Sequence, residues 1–451
     1  MIATWFPPEL PQLKSLLDPV TFGRILATGQ VAVGEATGQV ASGEATGQVA
    51  GGEATGCRLE RVRYRPGRNC LLTWRVDVAT KNGAVERRFV LMVCRDGASA
   101  GVYDAARAAG GEESVQHLAE FDAVLWAFPD ERKLRGIRQL AAPERLLAAL
   151  TEVISPRPVR PLRPLTIVQY VAERSCTVRL PLDDESVGYG KFYRPGESAP
   201  AWQTVTELWQ SAACREGRLV IPEPLAWHAE SESVWLRELG GVPLERVAIE
   251  QQLSQFKRIG QTLAILHQTP LESNSTRDQL RPADLTVIIP VLTTIRPSLG
   301  ARLERLATML IESAPEAAID DATLHGDLHL KNIFSLPAGQ TGQVGQIGLL
   351  DLDNLGVGDP LLDLGSLAGY LHYRGMAAAL PVEQVEWEIA QLCEGYETEA
   401  GRRIDHAALR HHIATALITE RAWRGVTRLK PNGPADIERL LDLAERTLGR
   451  R

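Results

Sequence analysis

Three oxygen-bearing side chains, Asp327, Asn332 and Asp351, lie in a stretch that runs TLHGDLHLKNIFSLPAGQTGQVGQIGLLDLDNLGVGDPLLDLG from Thr323 to Gly365. The Asn follows the first Asp by five residues, and the second Asp closes an apolar run, Ile347 to Leu350. Phosphoryl transfer from a nucleotide needs a cation for the phosphates, metal ions that bridge them, ligands for those ions and a carboxylate aimed at the acceptor hydroxyl. Asp327, after His325-Gly326, has the right type for the last task, taking the hydroxyl proton or holding the hydroxyl in line. Asn332 offers a neutral oxygen and Asp351 an anionic one, both suited to a hard Mg2+ ion. The apolar runs at 333–336 and 346–350 flank a Gly/Gln-rich turn, so a hairpin would bring these two ligands together.

The cation is Lys191, on a strand read as SVGYGKFY (186–193), a point charge for phosphates. Glu207, sixteen residues later on a helical run that includes Trp202, Val205, Leu208 and Trp209, is spaced to pair with it. Taken singly, Lys191 and Glu207 would each read as solvated charges; the set of residues gives them meaning. Asp359 reads as a turn or N-cap residue, Asp363 as a tie between a helix and the catalytic loop, and His325 as a residue that orients that loop. His329 reads as either loop packing or a substrate contact. His325, Asp327 and His329 on alternate positions also make a weak transition-metal pattern.

The elements that carry these residues come in a repeated layout. RYRPGRNCLLTWRV and QYVAERSCTVRLPL align so that Tyr64 with Tyr170, Arg68 with Arg174 and Cys70 with Cys176 are each 106 residues apart. Each predicts two strands around a tight turn, followed by a third strand (86–95 and 186–193). Allowing a gap, the third strands put Met92 opposite Lys191. Helices are expected at 103–109, 114–117 and 143–153, and further strands at 219–221 and 233–239. From Val242 onward helical spacing dominates, with helices at 366–374, 382–399, 406–425 and 434–448 around the one functional hairpin. Ahead of all this, residues 27–56 hold three nine-residue units, ATGQVAVGE, ATGQVASGE and ATGQVAGGE. They offer too little apolar surface to offset ordering entropy and read as a flexible insertion.

Net charge of −7 argues against bulk nucleic-acid binding. No apolar run approaches the roughly 18 residues of a membrane span. Six scattered cysteines without a CxxC read as reduced thiols in a cytoplasmic protein. The transfer chemistry asks for a partner that carries a hydroxyl.

LHGDLHLKN and LLDLDNLGVGDPLLDLG together resemble the catalytic stretch of the aminoglycoside phosphotransferase and choline kinase-like family, small-molecule kinases related to protein kinases. RYRPGRNC, FPDERKL and QYVAERSC are similar to segments of its maltokinase-like branch. The resemblance covers about residues 160–375. It implies an α+β, two-lobed protein-kinase-like fold: a small β-rich N-lobe (156–241), a mainly helical C-lobe (242–451), an extra N-terminal α+β module (57–155) and a leading segment (1–56). It implies ATP and Mg2+ as cofactors, Asp327 as catalytic base, Asn332 and Asp351 as magnesium ligands, and Lys191 braced by Glu207 as the phosphate site. It further implies a hinge near Glu238 whose backbone meets adenine. No GxGxxG precedes Lys191, so the phosphate loop would be 171–175, with Ser175 and backbone amides.

Two other classes compete. LLDLDN could be the DxD of a dehalogenase-like phosphatase, but Leu355 stands where that class wants Thr or Val, and HGDLHLKN is left unexplained. The alternative within the fold is a catalytically silent nucleotide-binding regulatory protein, for which an intact Asp-Asn-Asp set is not required.

Overall fold

The computed structural model describes residues 5–28, 54–80, 83–109, 114–154, 165–272, 284–315, 322–337 and 345–449. The repeat units between residues 29 and 53, residues 81 and 82 of the expected Lys81-Asn82-Gly83 turn, and the turn at 338–344 lie outside them. The chain is α+β and divides into two compact units. The first comprises Met1–Ala199, Pro224–Glu238 and Thr427–Pro431; the second comprises Pro200–Glu223, Leu239–Val426 and Asn432–Arg451.

The first unit contains two five-stranded antiparallel sheets. One is ordered β1-β2-β3-β5-β4, with β1 at Ala54–Arg65, β2 at Asn69–Thr80, β3 at Gly83–Val93, β4 at Val115–Leu118 and β5 at Ala123–Ala127. The other is ordered β6-β7-β8-β10-β9, with β6 at Thr166–Val171, β7 at Ser175–Pro181, β8 at Val187–Phe192, β9 at Pro224–His228 and β10 at Ser233–Arg237. The strand orders are the same. Their registers agree as well: Tyr64 pairs Cys70 and Leu71 pairs Met92 in the first, while Tyr170 pairs Cys176 and Thr177 pairs Lys191 in the second. Met92 and Lys191 therefore occupy equivalent positions, as the sequence alignment expected.

Several expectations need correction. Where a helix was expected at 114–117 there is a strand, β4, because Val115–Leu118 pair with β5. Strand β5 (AVLWA) is buried along its whole length, so it shows no alternation and blends into neighbouring helical text. The fourth strand of the second sheet is Pro224–His228, not 219–221; it is an edge strand that opens on a proline. Of 219–221, Val220 makes one bridge, to Gly348.

A continuous core joins the sheets, from Leu71, Met92, Val124 and Trp126 on the first to Cys176, Val178, Phe192 and Trp235 on the second. Phe128 meets the Tyr170 ring edge-on at 5.0 Å. At Gly136 the backbone approaches so closely that a Cβ would lie 1.8 Å from the Ser231 carbonyl oxygen.

In the second unit, helix Phe256–His267 packs on helix Val382–Ala400, and helix Leu361–Ala378 packs on helix His406–Ala416. Two small sheets interrupt the helices. Strand β11 (Val242–Pro243) pairs β13 (Ile333–Ser335), which pairs β14 (Ile347–Leu349); β12 (Ala322–Leu324) pairs β15 (Gly356–Gly358). The expected helices at 366–374, 382–399 and 434–448 are present within Leu361–Ala378, Val382–Ala400 and Gly433–Gly449. Helix Leu285–Ile295 contains Pro290, a residue that argues against a helix interior in any sequence reading. Among the described residues no helix is long and apolar enough to cross a membrane.

Gly136→Ala forces either the Ser231 backbone or its own segment to move. We expect a loss of about 2 kcal/mol, by the usual cost of overpacking, read as a fall in the thermal or urea midpoint against wild type.

Candidate active site

Strand β12 is buried throughout, and the Thr323 hydroxyl donates to the Thr269 carbonyl at 2.6 Å. The chain leaves the strand at His325 and turns at Gly326, whose φ of +76° suits a residue without Cβ. Beyond it the sequence alternates. Leu328 and Leu330 are each 1% exposed, while Asp327, His329 and Lys331 lie on the more open side.

A buried carboxylate anchors this loop. Asp363, in the first turn of helix Leu361–Ala378, accepts from the His325 amide at 2.6 Å and the Gly326 amide at 3.0 Å. The His267 ring reaches the same group at 3.2 Å, with its other nitrogen 3.0 Å from the Tyr396 hydroxyl. Burial raises the Asp363 pKa, but the His267 ring and the backbone amides outweigh it and hold the carboxyl below its usual range. Asp363 thus has the tying role expected of it. His325 is also structural: its Nε2 lies 3.0 Å from the Leu350 carbonyl and its Nδ1 3.4 Å from the Asp327 amide. The two contacts select the tautomer with the proton on Nε2.

The hairpin forms at β13 and β14. Ile333 pairs Leu349, and the Leu350 amide donates to the Asn332 carbonyl at 2.9 Å. The backbones of Asn332 and of the residue before Asp351 are therefore directly bonded. The Asn332 side-chain nitrogen donates to the Asp327 carbonyl at 3.1 Å, which leaves the side-chain oxygen as the atom for a cation. Asp351 is in the left-handed region, φ +63°, a conformation that costs a non-glycine residue on the order of 1 kcal/mol and is common at functional sites. Hard oxygen donors at 332 and 351 suit Mg2+. Among the described residues no group of three or more His, Cys, Asp or Glu is disposed to hold a metal, so His325, Asp327 and His329 do not form a transition-metal cluster.

Asp327 itself is partnered. Its Oδ1 accepts from Arg424 Nη2 at 2.8 Å, and its Oδ2 is 4.0 Å from His329 Nε2. Burial raises its pKa, but the Arg424 guanidinium more than compensates, so the carboxyl stays below the usual range and ionised at neutral pH. Burial lowers the His329 pKa. Arg424 and Arg421 were missed in the sequence. They lie on a helix that changes to a π-helix at Leu417–Ala422 before helix Trp423–Thr427. Such a wide turn is frequent at functional sites but breaks the 3.6-residue spacing by which helix faces are read. Arg421 stacks over the Tyr370 ring at 5.2 Å and pairs Glu420 at 2.7 Å.

The remaining candidates are on other elements. Lys191 is on the central strand β8, half-buried, paired to Thr177 and Val234, with its Nζ 6.0 Å from the Tyr193 ring centroid. Glu207 is on helix Ser198–Trp209 and accepts from the Glu272 amide. Ser175 opens β7 after the turn Glu173-Arg174, and the Arg174 amide is already bonded to the Val171 carbonyl at 2.9 Å. Glu238 follows β10; its amide donates to the Val187 carbonyl at 2.7 Å and its Oε1 accepts from the Tyr189 hydroxyl at 3.1 Å. The chain passes from the first unit to the second after Glu238. Elsewhere in the second unit, Glu388 is fully buried on Arg374 and Gln384, a packing role. Glu394 pairs Lys257.

Residues 188–410 match the model of the phosphotransferase enzyme family. No curated protein matches the chain. Among solved structures, a macrolide 2'-phosphotransferase type I is 18% identical, with 69% of this chain and 98% of that one covered and a TM-score of 0.41. A choline/ethanolamine kinase family protein from Mesorhizobium loti is 15% identical, covering 68% and 95%, with a TM-score of 0.44. An amicoumacin kinase in complex with AMP-PNP and Ca2+ is 13% identical, covering 67% and 93%, with a TM-score of 0.47.

Asp363→Ala removes the acceptor for two buried amides and for His267. By the cost of breaking a buried charged network, the loss is about 3 kcal/mol or more. We expect a lower melting midpoint and faster amide exchange at His325 and Gly326, with Asp363→Asn intermediate.

Proposed function

We propose, from the match of residues 188–410 to the model of the phosphotransferase enzyme family, that this small-molecule kinase moves the γ-phosphate of ATP, with Mg2+, to a hydroxyl of its acceptor. The observation that carries the reading is the loop-and-hairpin arrangement of Asp327, Asn332 and Asp351, held by Asp363 on one side and by the Leu350–Asn332 bond on the other.

Asp327 binds and orients the acceptor hydroxyl. Its low pKa makes it a weak base, which suits a loose transition state in which the hydroxyl proton leaves late. Arg424 holds the carboxylate in place, and His329 lines the same loop. Asn332 and Asp351 hold Mg2+, which when bound neutralises charge on the phosphates. Lys191 binds phosphate oxygens, with the Ser175 hydroxyl as a further donor. The Glu238 amide is engaged within the sheet, so other backbone groups of that connector would have to meet adenine. All six cysteines are free thiols, in keeping with a cytoplasmic setting where ATP is supplied.

The test is Mg2+-dependent ADP release over a panel of sugars, aminoglycosides and amino alcohols. Wild type should turn over at least one class, and Asp327→Ala should lower kcat by about a hundredfold or more, the scale of a lost positioned catalytic group. Full activity in both Asp327→Ala and Asp351→Ala overturns the reading; nucleotide binding without turnover across the panel favours the silent regulatory alternative. Arg424→Gln gives a separate check through pH. Loss of the adjacent cation disfavours the ionised carboxylate and leaves burial unopposed, so the Asp327 pKa rises. The acidic limb of the kcat/KM profile should move to higher pH; an unmoved limb removes Asp327 as the titrating group.

A further inference from the structure

The likeness between the two sheets of the first unit extends well past their strands. In the first, Asp122 at φ +43° accepts from the Gly97 and Ser99 amides, each at 2.9 Å. In the second, Glu232 at φ +48° accepts from the Gly196 and Ser198 amides at 3.0 and 3.4 Å. Ser99 bonds His117, and Ser198 bonds Trp227, at equivalent strand positions opposite Val124 and Val234. The turns also correspond. Gly67 at φ +69° in the first hairpin matches Glu173 at φ +58° in the second. A glutamate reaches the amide at each: Glu9 at Gly67, 3.4 Å, and Glu131 at Glu173, 3.0 Å. Each of these glutamates stands in a Phe-Pro-x-Glu segment, Phe6 to Glu9 and Phe128 to Glu131. The first unit is thus a duplication. Its first copy has Met92 where the second has Lys191. Counting nine residues on from Ser99 and Ser198, it has Ala108 where the second has Glu207.

The first copy lacks the phosphate-site residues, yet Arg65 and Arg63 of its first strand reach the turn of the second copy. Glu173 is 3% exposed and sits in a backbone conformation that glycine adopts without strain and glutamate does not. Its carboxylate receives Arg132 Nε at 2.8 Å and Nη2 at 2.6 Å, Arg65 Nη1 at 2.8 Å and Lys133 Nζ at 3.6 Å. Arg65 ends β1, the strand that leads into the first copy's own turn. Arg63 adds a bond from its Nη1 to the Ala172 carbonyl at 3.4 Å. A strained turn with a glutamate buried among three cations is a costly way to make a tight turn, given that the equivalent turn manages with glycine.

We propose that Arg65 and Arg63 of the first copy, together with Arg132 and Lys133 of the segment that follows Glu131, serve as a fixed clamp on the 171–175 turn, with Glu173 as the positioning residue that holds Ser175 and the adjoining backbone toward the nucleotide phosphates. This rests on the reading above in which that turn faces the phosphates. Glu173 does not touch the nucleotide; it acts through the turn it anchors. Burial raises its pKa, but Arg132 and Arg65 hold the carboxylate ionised, so the clamp persists at neutral pH.

The test measures AMP-PNP affinity with Mg2+ by calorimetry, alongside the melting midpoint, in the full chain. Glu173→Gly removes the clamp while giving the turn a residue suited to its positive φ, so stability should change little. A merely structural role for Glu173 would move the midpoint and leave affinity alone. We expect about tenfold weaker AMP-PNP binding, the scale of a small misplacement of binding groups. The double variant Arg65→Gln/Arg132→Gln, which weakens the clamp from its cationic side, should weaken binding likewise, and Arg132→Lys should restore part of it. Lys191→Ala serves as the reference. If Lys191→Ala weakens binding while Glu173→Gly and the double variant bind as wild type, the clamp is overturned and the phosphate site stands. If Lys191→Ala also binds as wild type, the phosphate-site reading fails and the clamp fails with it.

Discussion

Asp363 is 2% exposed at the start of helix Leu361–Ala378, and its two oxygens take hydrogens from the His325 and Gly326 amides and from His267. A carboxylate buried this deeply is tolerated only because every strong donor around it is aimed inward. That requirement places helix Leu361–Ala378, helix Phe256–His267 and the loop after β12 in one arrangement. His325 then reaches across to Leu350, at the foot of the second strand of the hairpin. Asp327, Asn332 and Asp351 inherit their positions from this network. The chemistry of the site depends on a residue that takes no part in it.

The electrostatics of Asp327 follow a similar logic. Burial alone would favour its neutral form; Arg424, from the far end of the chain, reverses the balance. Arg421 lies three residues earlier, over Tyr370, in the π-helical turn. The C-terminal helices therefore contribute to the site directly. The first unit presents the complementary case, a duplicated sheet in which one copy carries Lys191 and the other, with Met92 at that position, supplies Arg65 to the turn at Glu173.

Much of this was legible in the sequence because local spacing carried it. The five-residue step from Asp327 to Asn332 and the two apolar runs were enough to anticipate the hairpin, and the Tyr-Arg-Cys alignment was enough to match Met92 with Lys191. What was not legible depends on contacts distant in sequence or on a broken period. Arg424 pairs with a residue 97 positions earlier, and the π-helical turn shifts it off the face a regular helix would give. Strand β5 is buried on both faces, so it offers no alternation to separate it from helix. Glu9 and Glu131 show their equivalence only through the amides they reach, since little beyond Phe-Pro-x-Glu is shared between their segments.

If Asn332 and Asp351 hold magnesium, nucleotide binding depends on it. Calorimetric titration of AMP-PNP into wild type and into Asp351→Ala, each with Mg2+ and with chelator, tests it without knowledge of the acceptor. Wild type should bind distinctly more tightly with Mg2+, and Asp351→Ala should lose that difference. Equal Mg2+ enhancement in the two proteins would contradict the account.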